Sequence, residues 1–138
     1  MNVKTDESQT CCNIHWEGEI TEKIKRLFRG NKNKTTEIAA TTVALLLIPI
    51  FTEFTSIEEA PIGSTVDYFL SSNQPDDTYI FNNIEAYCEI RGIREEKKGN
   101  TVQGAIRKKV NRLKKIEDLP TYIVIVEFSK PFSRVTSR

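Results

Sequence analysis

Ile84-Glu85-Ala86-Tyr87-Cys88-Glu89-Ile90-Arg91 (IEAYCEIR) alternates without a break. Side chains on a strand point to opposite faces in turn, so Ile84, Ala86, Cys88 and Ile90 predict a buried face. Glu85, Tyr87, Glu89 and Arg91 then share the other face. A carboxylate and a guanidinium two residues apart thus project from one side of a half-buried strand. The strand also marks a charge boundary. From Thr35 to Ile90 the chain carries nine acidic residues and no Lys or Arg, whereas Arg91 to Lys115 carries ten basic residues against Glu95 and Glu96.

Working toward the N-terminus, Val66 to Leu70 alternates as well and predicts a strand carrying Asp67 and Phe69 on one face. The polar stretch Ser71 to Thr78, with Asn73 and Pro75, reads as a turn. Pro61 and Gly63 break the chain before it. Ile38 to Ile48 is apolar nearly all round, which predicts a buried helix opened by Thr35 or Thr36 and interrupted at Pro49. Asn31 to Lys34 reads as a polar loop. Glu17 to Arg29 spaces Ile20, Ile24, Leu27 and Phe28 as one helical stripe, with Gly30 as a left-handed stop. Residues 1–16 lack periodicity and are expected to fray.

Toward the C-terminus, Gly92 reads as a turn. Asn100 and Gln103 form a capping pair for a helix whose stripe is Val102, Ile106, Val110, Leu113 and Ile116. Gly104 inside that helix costs roughly 1 kcal/mol relative to alanine and suggests a close approach. Lys108, Arg112 and Lys115 share a second face of the helix. Thr121 to Phe128 (TYIVIVEF) is a continuous β-branched run, expected of a central strand covered on both sides. Pro131 should confine the C-terminal residues to an edge or a tail.

At 138 residues, 38% hydrophobic and 28% charged, the chain suits one soluble domain with a single core. The organisation expected is a 1–34 extension bearing a short amphipathic helix, then an α/β domain over 35–138 in the order α-α-β-β-α-β. The net charge of +1 implies no partner by itself; its distribution does. Three cysteines, two of them adjacent, suggest no disulfide framework. A lone histidine, His15, argues against both a zinc site and a Ser/His or Cys/His nucleophile. The apolar run Val43 to Phe51 is shorter than the roughly 18–20 residues that span a bilayer, and the polar start lacks a secretory pattern. The expectation is a cytoplasmic chain with no membrane partner.

Asp67 and Glu89 lie on consecutive strands. If these pair, two carboxylates meet on one face and need either a proton or a cation between them. Oxygen donors favour a hard ion such as magnesium or manganese, which can acidify a bound water and neutralise charge on a phosphate. The cationic helix beside them would follow a phosphate backbone, with Arg107, Lys108, Arg112 and Lys115 as contacts.

This arrangement resembles the PD-(D/E)xK, or restriction-endonuclease-like, nucleases. The family has an acid on a first helix, an Asp at a second strand, Glu-x-Lys on the next, then a helix and a further strand. Here GSTVDYFL supplies Asp67 and EAYCEIR supplies Glu89 with Arg91 in the lysine position. The long helix running to EFTSIEE would supply Glu53, Glu58 or Glu59, with Glu59 as the candidate. The resemblance covers residues 35 to 128. It implies a metal-dependent endonuclease acting on nucleic acid, DNA before RNA, with little sequence preference. Arginine can stabilise a charged transition state but stays protonated and cannot serve as a base. Lys97, Lys98 or Lys108 could then reach in. The alternative is an inactive nuclease-like module that binds nucleic acid or a protein, as a homodimer or as the small subunit of a larger assembly.

Overall fold

In a computed structural model, residues 1–6, 8–15, 17–72, 83–116, 118–130 and 132–137 are described. They form seven strands and three helices: β1 Asn2–Lys4, β2 Gln9–Cys11, α1 Glu22–Arg29, α2 Lys32–Phe51, β3 Ser56–Glu59, β4 Tyr68–Ser71, β5 Ala86–Ile93, α3 Val102–Arg112, β6 Thr121–Glu127 and β7 Phe132–Ser137, with a short 3-10 turn at Leu113–Lys115. All seven strands join one mixed sheet in the order β2-β1-β7-β6-β5-β4-β3. β3, β4 and β5 form an antiparallel meander. β6 then lies parallel to β5, reached through the α3 crossover that parallel neighbours require.

The run TYIVIVE explains the centre of this sheet. Ile123 and Ile125 face one side, Val124 and Val126 the other, and all four are fully buried. Val124 and Val126 pack with Ala86, Cys88 and the α2 residues Ala40, Ala44, Leu47 and Ile48. Ile123 and Ile125 pack with Phe69, Ile93 and the α3-side residues Ile106 and Leu113. The molecule is therefore three-layered, with α2 on one face and α3 on the other.

Gly92 fixes the spacing of the first two layers. It lies inside β5 rather than in the expected turn. A Cβ there would stand 2.6 Å from the Thr36 carbonyl oxygen and 2.8 Å from its methyl. Helix α2 rests directly on strand backbone at this point. Gly92→Ala is therefore expected to cost about 1–3 kcal/mol as the helix is pushed away, read as a lower urea midpoint at unchanged slope.

Several elements differ from the sequence reading. Asn2–Lys4 is not frayed: β1 pairs in parallel with β7, and Val3 is fully buried. The sheet thus draws on both sides of the expected boundary at residue 34, which itself falls inside α2. Helix α1 starts later, because Thr21 caps it through Ile24 N–H, and Gly30 is right-handed with φ −73°. Helix α2 starts earlier, at Lys32, because Asn31 accepts from Lys34 N–H at 3.0 Å. Pro49 does not end it, since only Ile50 and Phe51 follow before Thr52 closes the helix on the Ile48 carbonyl. Nor is α2 buried all round: Leu46 is 50% and Ile50 65% exposed. Its 20 residues are long and apolar enough to cross a membrane by length and composition, a test that a core helix also passes.

SIEE forms strand β3, not the end of a helix, because its backbone pairs with β4 from Ser56↔Ser71 to Glu59↔Tyr68. The observed order thus adds strands to the expected α-α-β-β-α-β. At the other end, β7 is interior, flanked by β6 and β1. The Glu127 carboxylate stabilises the hairpin before it by accepting from Ser129 N–H, Ser129 Oγ–H and Lys130 N–H. Thr101, not Asn100, caps α3, accepting from Gly104 N–H. Among the described residues Gly104 meets only that cap side chain, and no second element approaches it. Most of the turn expected over Ser71 to Thr78, from Asn73 onward, lies outside the described residues.

Candidate active site

Asp67 sits immediately before β4, where the register Tyr68↔Cys88 sets it across from Glu89. Its N–H donates to the Cys88 carbonyl at 3.1 Å, and its Oδ2 accepts from Ile90 N–H at 2.8 Å. The backbone of β5 therefore grips Asp67 on both sides of Glu89. Glu89 points from β5 toward α3, with its side chain wholly buried.

Two cations of α3, one turn apart, meet this pair. Lys109 Nζ lies 3.2 Å from Asp67 Oδ2 and donates to Glu89 Oε2. Arg112 donates to Glu89 Oε1, and to the Thr65 carbonyl at 3.1 Å. An ammonium of the chain itself thus contacts both carboxylates. Lys109 is 14% exposed, Asp67 39% and Arg112 51%, so the cluster grades from core to solvent.

Burial pushes the Glu89 carboxyl above its ordinary range; the Lys109 hydrogen bond and charge oppose this, Asp67 adds to it, and Arg112 opposes it. Burial, then the two carboxylates, raises the Cys88 thiol far above its usual value, so it is inert core. Tyr87 shares the Glu89 face but packs on Phe69, ring centres 5.9 Å apart, and donates to Asp118 Oδ2.

The cluster opens onto a cleft of about 480 Å³, lined by Glu37, Glu59, Asp67, Arg91 and Lys109 among others. Asp67, Glu59 and Arg91 of the expected residues therefore share one hollow, at whose edge Asp67 meets Glu89. Arg91 is exposed and, among the described residues, makes no ion pair. Of the three candidate glutamates only Glu59 lines the cleft. Glu58 and Glu53 are not in its lining, Glu53 lying beyond the end of α2.

Lys97, Lys98 and Lys108 do not line this cleft, and Lys97 is paired with Glu95 at 3.1 Å. The lysine in reach is Lys109. It falls three residues after Ile106 and four before Leu113, inside the buried arc of α3, and a cation at that spacing is the signal the sequence offers. Glu37 reads in the sequence only as a charge favourable to a helix start. Of the expected phosphate contacts, Arg107 and Lys108 are exposed on α3, whereas Arg112 is engaged by Glu89. The Lys115 side chain lies outside the described residues.

Among the described residues, no group of three or more carboxylates, histidines or thiols forms a cage for a metal. Magnesium does not need one, because it keeps waters and takes one or two carboxylates plus substrate phosphate oxygens. Two hard oxygen donors on a cleft fit that ion, provided Lys109 yields Glu89 Oε2. The chain matches no family model, no curated protein and no solved structure.

Proposed function

We propose that this protein is a metal-dependent nuclease of the restriction-endonuclease-like type, acting on nucleic acid with little sequence preference. The observation that carries the reading is the sharing of Lys109 by Asp67 and Glu89 at the edge of an open cleft. The succession α2, β3, β4, β5, α3, β6 supports it. It supplies a first helix with Glu37, a second strand preceded by Asp67, Glu89-x-Arg91 on the next strand, then a helix and a parallel strand.

Asp67 and Glu89 would hold the magnesium ion, which when bound supplies a Lewis acid for a phosphoryl oxygen and acidifies a water. Asp67 is held in place by Ile90 N–H, so its orientation is set before substrate arrives. Lys109, once Glu89 Oε2 yields it, would turn its ammonium toward the charge that grows on a scissile phosphate. Arg91 projects into the same cleft with its fork free for bidentate contact with phosphate oxygens. Arg107 and Lys108 add non-specific attraction along α3.

The test is incubation of the wild-type chain with plasmid, linear duplex and single-stranded substrates in magnesium, manganese or chelator. Cleavage in either metal and none in chelator is the expected result. Intact substrate in every condition would remove the proposal.

One observation favours a second reading. Both Glu89 oxygens are already bonded, to Lys109 and Arg112, which is also what an inactive, nucleic-acid-binding module of this fold would require. Calorimetry with magnesium separates the two: binding that Asp67→Ala removes belongs to a nuclease, and no heat belongs to the module.

A further inference from the structure

The cleft does not end at the acidic pair. It shares Glu37, Arg91 and Gly92 with a second hollow of about 650 Å³ running over the N-terminal turns of α2. That hollow in turn shares Lys32, Thr36 and Arg94 with a third, of about 480 Å³, between α1 and α2. Together they make one groove, from Lys109 past Arg91 and Arg94 to Lys32.

The far end differs in chemistry from the cleft. Phe28 of α1 and Phe128, just after β6, line it, and Lys25, Arg29, Lys32 and Arg94 stand around them with no carboxylate in the lining. Glu22 partly offsets Lys25 and Arg29, at 2.8 and 3.6 Å. Among the described residues Lys32, Arg91 and Arg94 make no ion pair. The middle stretch also carries Glu37 and Glu95, the latter paired with Lys97. An aromatic-floored hollow of this size, rimmed by four cations of which Lys32 and Arg94 make no ion pair among the described residues, fits a flat ring joined to an anion.

We infer that this groove is a track for single-stranded nucleic acid, with one unpaired base against Phe28 and Phe128 and the following phosphates across Lys32, Arg94 and Arg91 toward the cleft. A duplex keeps its bases stacked inside and offers none to the aromatic pocket, whereas a single strand stacks bases on such rings at any sequence. The choice of ligand rests on the nucleic-acid reading of the cleft but not on cleavage.

The test is fluorescence anisotropy with wild-type protein in chelator, using a labelled oligothymidylate and a blunt duplex of equal length. The single strand is expected to bind about tenfold or more tighter, and Phe28→Ala to weaken it by about 5- to 150-fold while leaving the duplex unchanged. Phe28 is 37% exposed, so the folded state should survive, which circular dichroism checks. Arg94→Gln, at an exposed position, is expected to flatten the salt dependence of single-strand binding by about 0.7 in log–log slope. Equal affinity for both ligands, or single-strand binding unaffected by both substitutions, overturns the track. Binding as described without cleavage in magnesium leaves the track standing and removes the nuclease. Cleavage with Phe28→Ala indifferent to the single strand does the reverse.

Discussion

Replacing Glu89 with alanine is expected to lower the unfolding free energy by about 3–5 kcal/mol, the range for breaking a buried ion pair from one side. The cost does not measure what the pair contributes. It arises because Lys109, 14% exposed, keeps its charge in a site from which its main acceptor has gone. Asp67 Oδ2 remains at 3.2 Å, which favours the lower half of the range. Arg112 is half exposed and can turn to solvent, so it adds little. The raised Glu89 carboxyl points the same way. In the folded chain this group holds its proton more tightly than in the unfolded one. Its contribution to stability is therefore fullest below the ordinary carboxylate value and declines as pH climbs through the raised one. Taking both charges out should accordingly be far milder than taking one. Glu89→Met with Lys109→Met is expected to fall near wild type or above it, where Glu89→Ala alone falls well below. Urea unfolding of the single and double variants at neutral pH reads both numbers. A single-variant loss under about 1 kcal/mol, the scale of a surface pair, would mean that the cluster is not closed as described.

A cluster that costs free energy when charged, and sits on a cleft, calls for a reason beyond folding. Its components are legible in the sequence to different degrees, and the physics of each element explains the difference. β5 and β6 declare themselves because alternation and β-branched continuity record burial directly. Asp67 and Glu89 come next, since strand period alone sets their faces once the strands pair. β1, β3 and β7 do not declare themselves, because each is held by its neighbours more than by its own letters. Val3 is one buried residue in a polar stretch, SIEE has the composition of a helix end, and β7 comes after a proline. The α2 stripe misleads in the other direction: apolar letters on all sides predict full burial, yet the sheet covers only the face of Ala40, Ala44, Leu47 and Ile48. Lys109 is hidden by company, one cation among four on α3, and only its position between Ile106 and Leu113 distinguishes it from the solvated ones.

That distinction makes the second large effect specific. Asp67→Ala is expected to leave no cleavage above background, and Lys109→Ala to reduce kcat by about 10²–10³-fold, the scale of removing one preorganised donor from a developing oxyanion. Lys98→Ala should change neither kcat nor KM, since Lys98 lines neither the cleft nor the hollow beside it, and Lys97→Ala should leave kcat unchanged. Arg91→Ala should act differently from both. An exposed guanidinium that touches phosphate in substrate and transition state alike contributes uniform binding, so its loss raises KM more than it lowers kcat. Single-turnover cleavage at saturating protein separates the two, because it reads the chemical step without substrate capture. Lysine at 91 restores charge but not the bidentate fork, so Arg91→Lys should recover only part of the lost affinity. If Lys109→Ala cleaves at the wild-type rate while Arg91→Ala is dead, the cation of the reaction is the one on β5. The ammonium between the carboxylates is then a structural tie between α3 and the sheet.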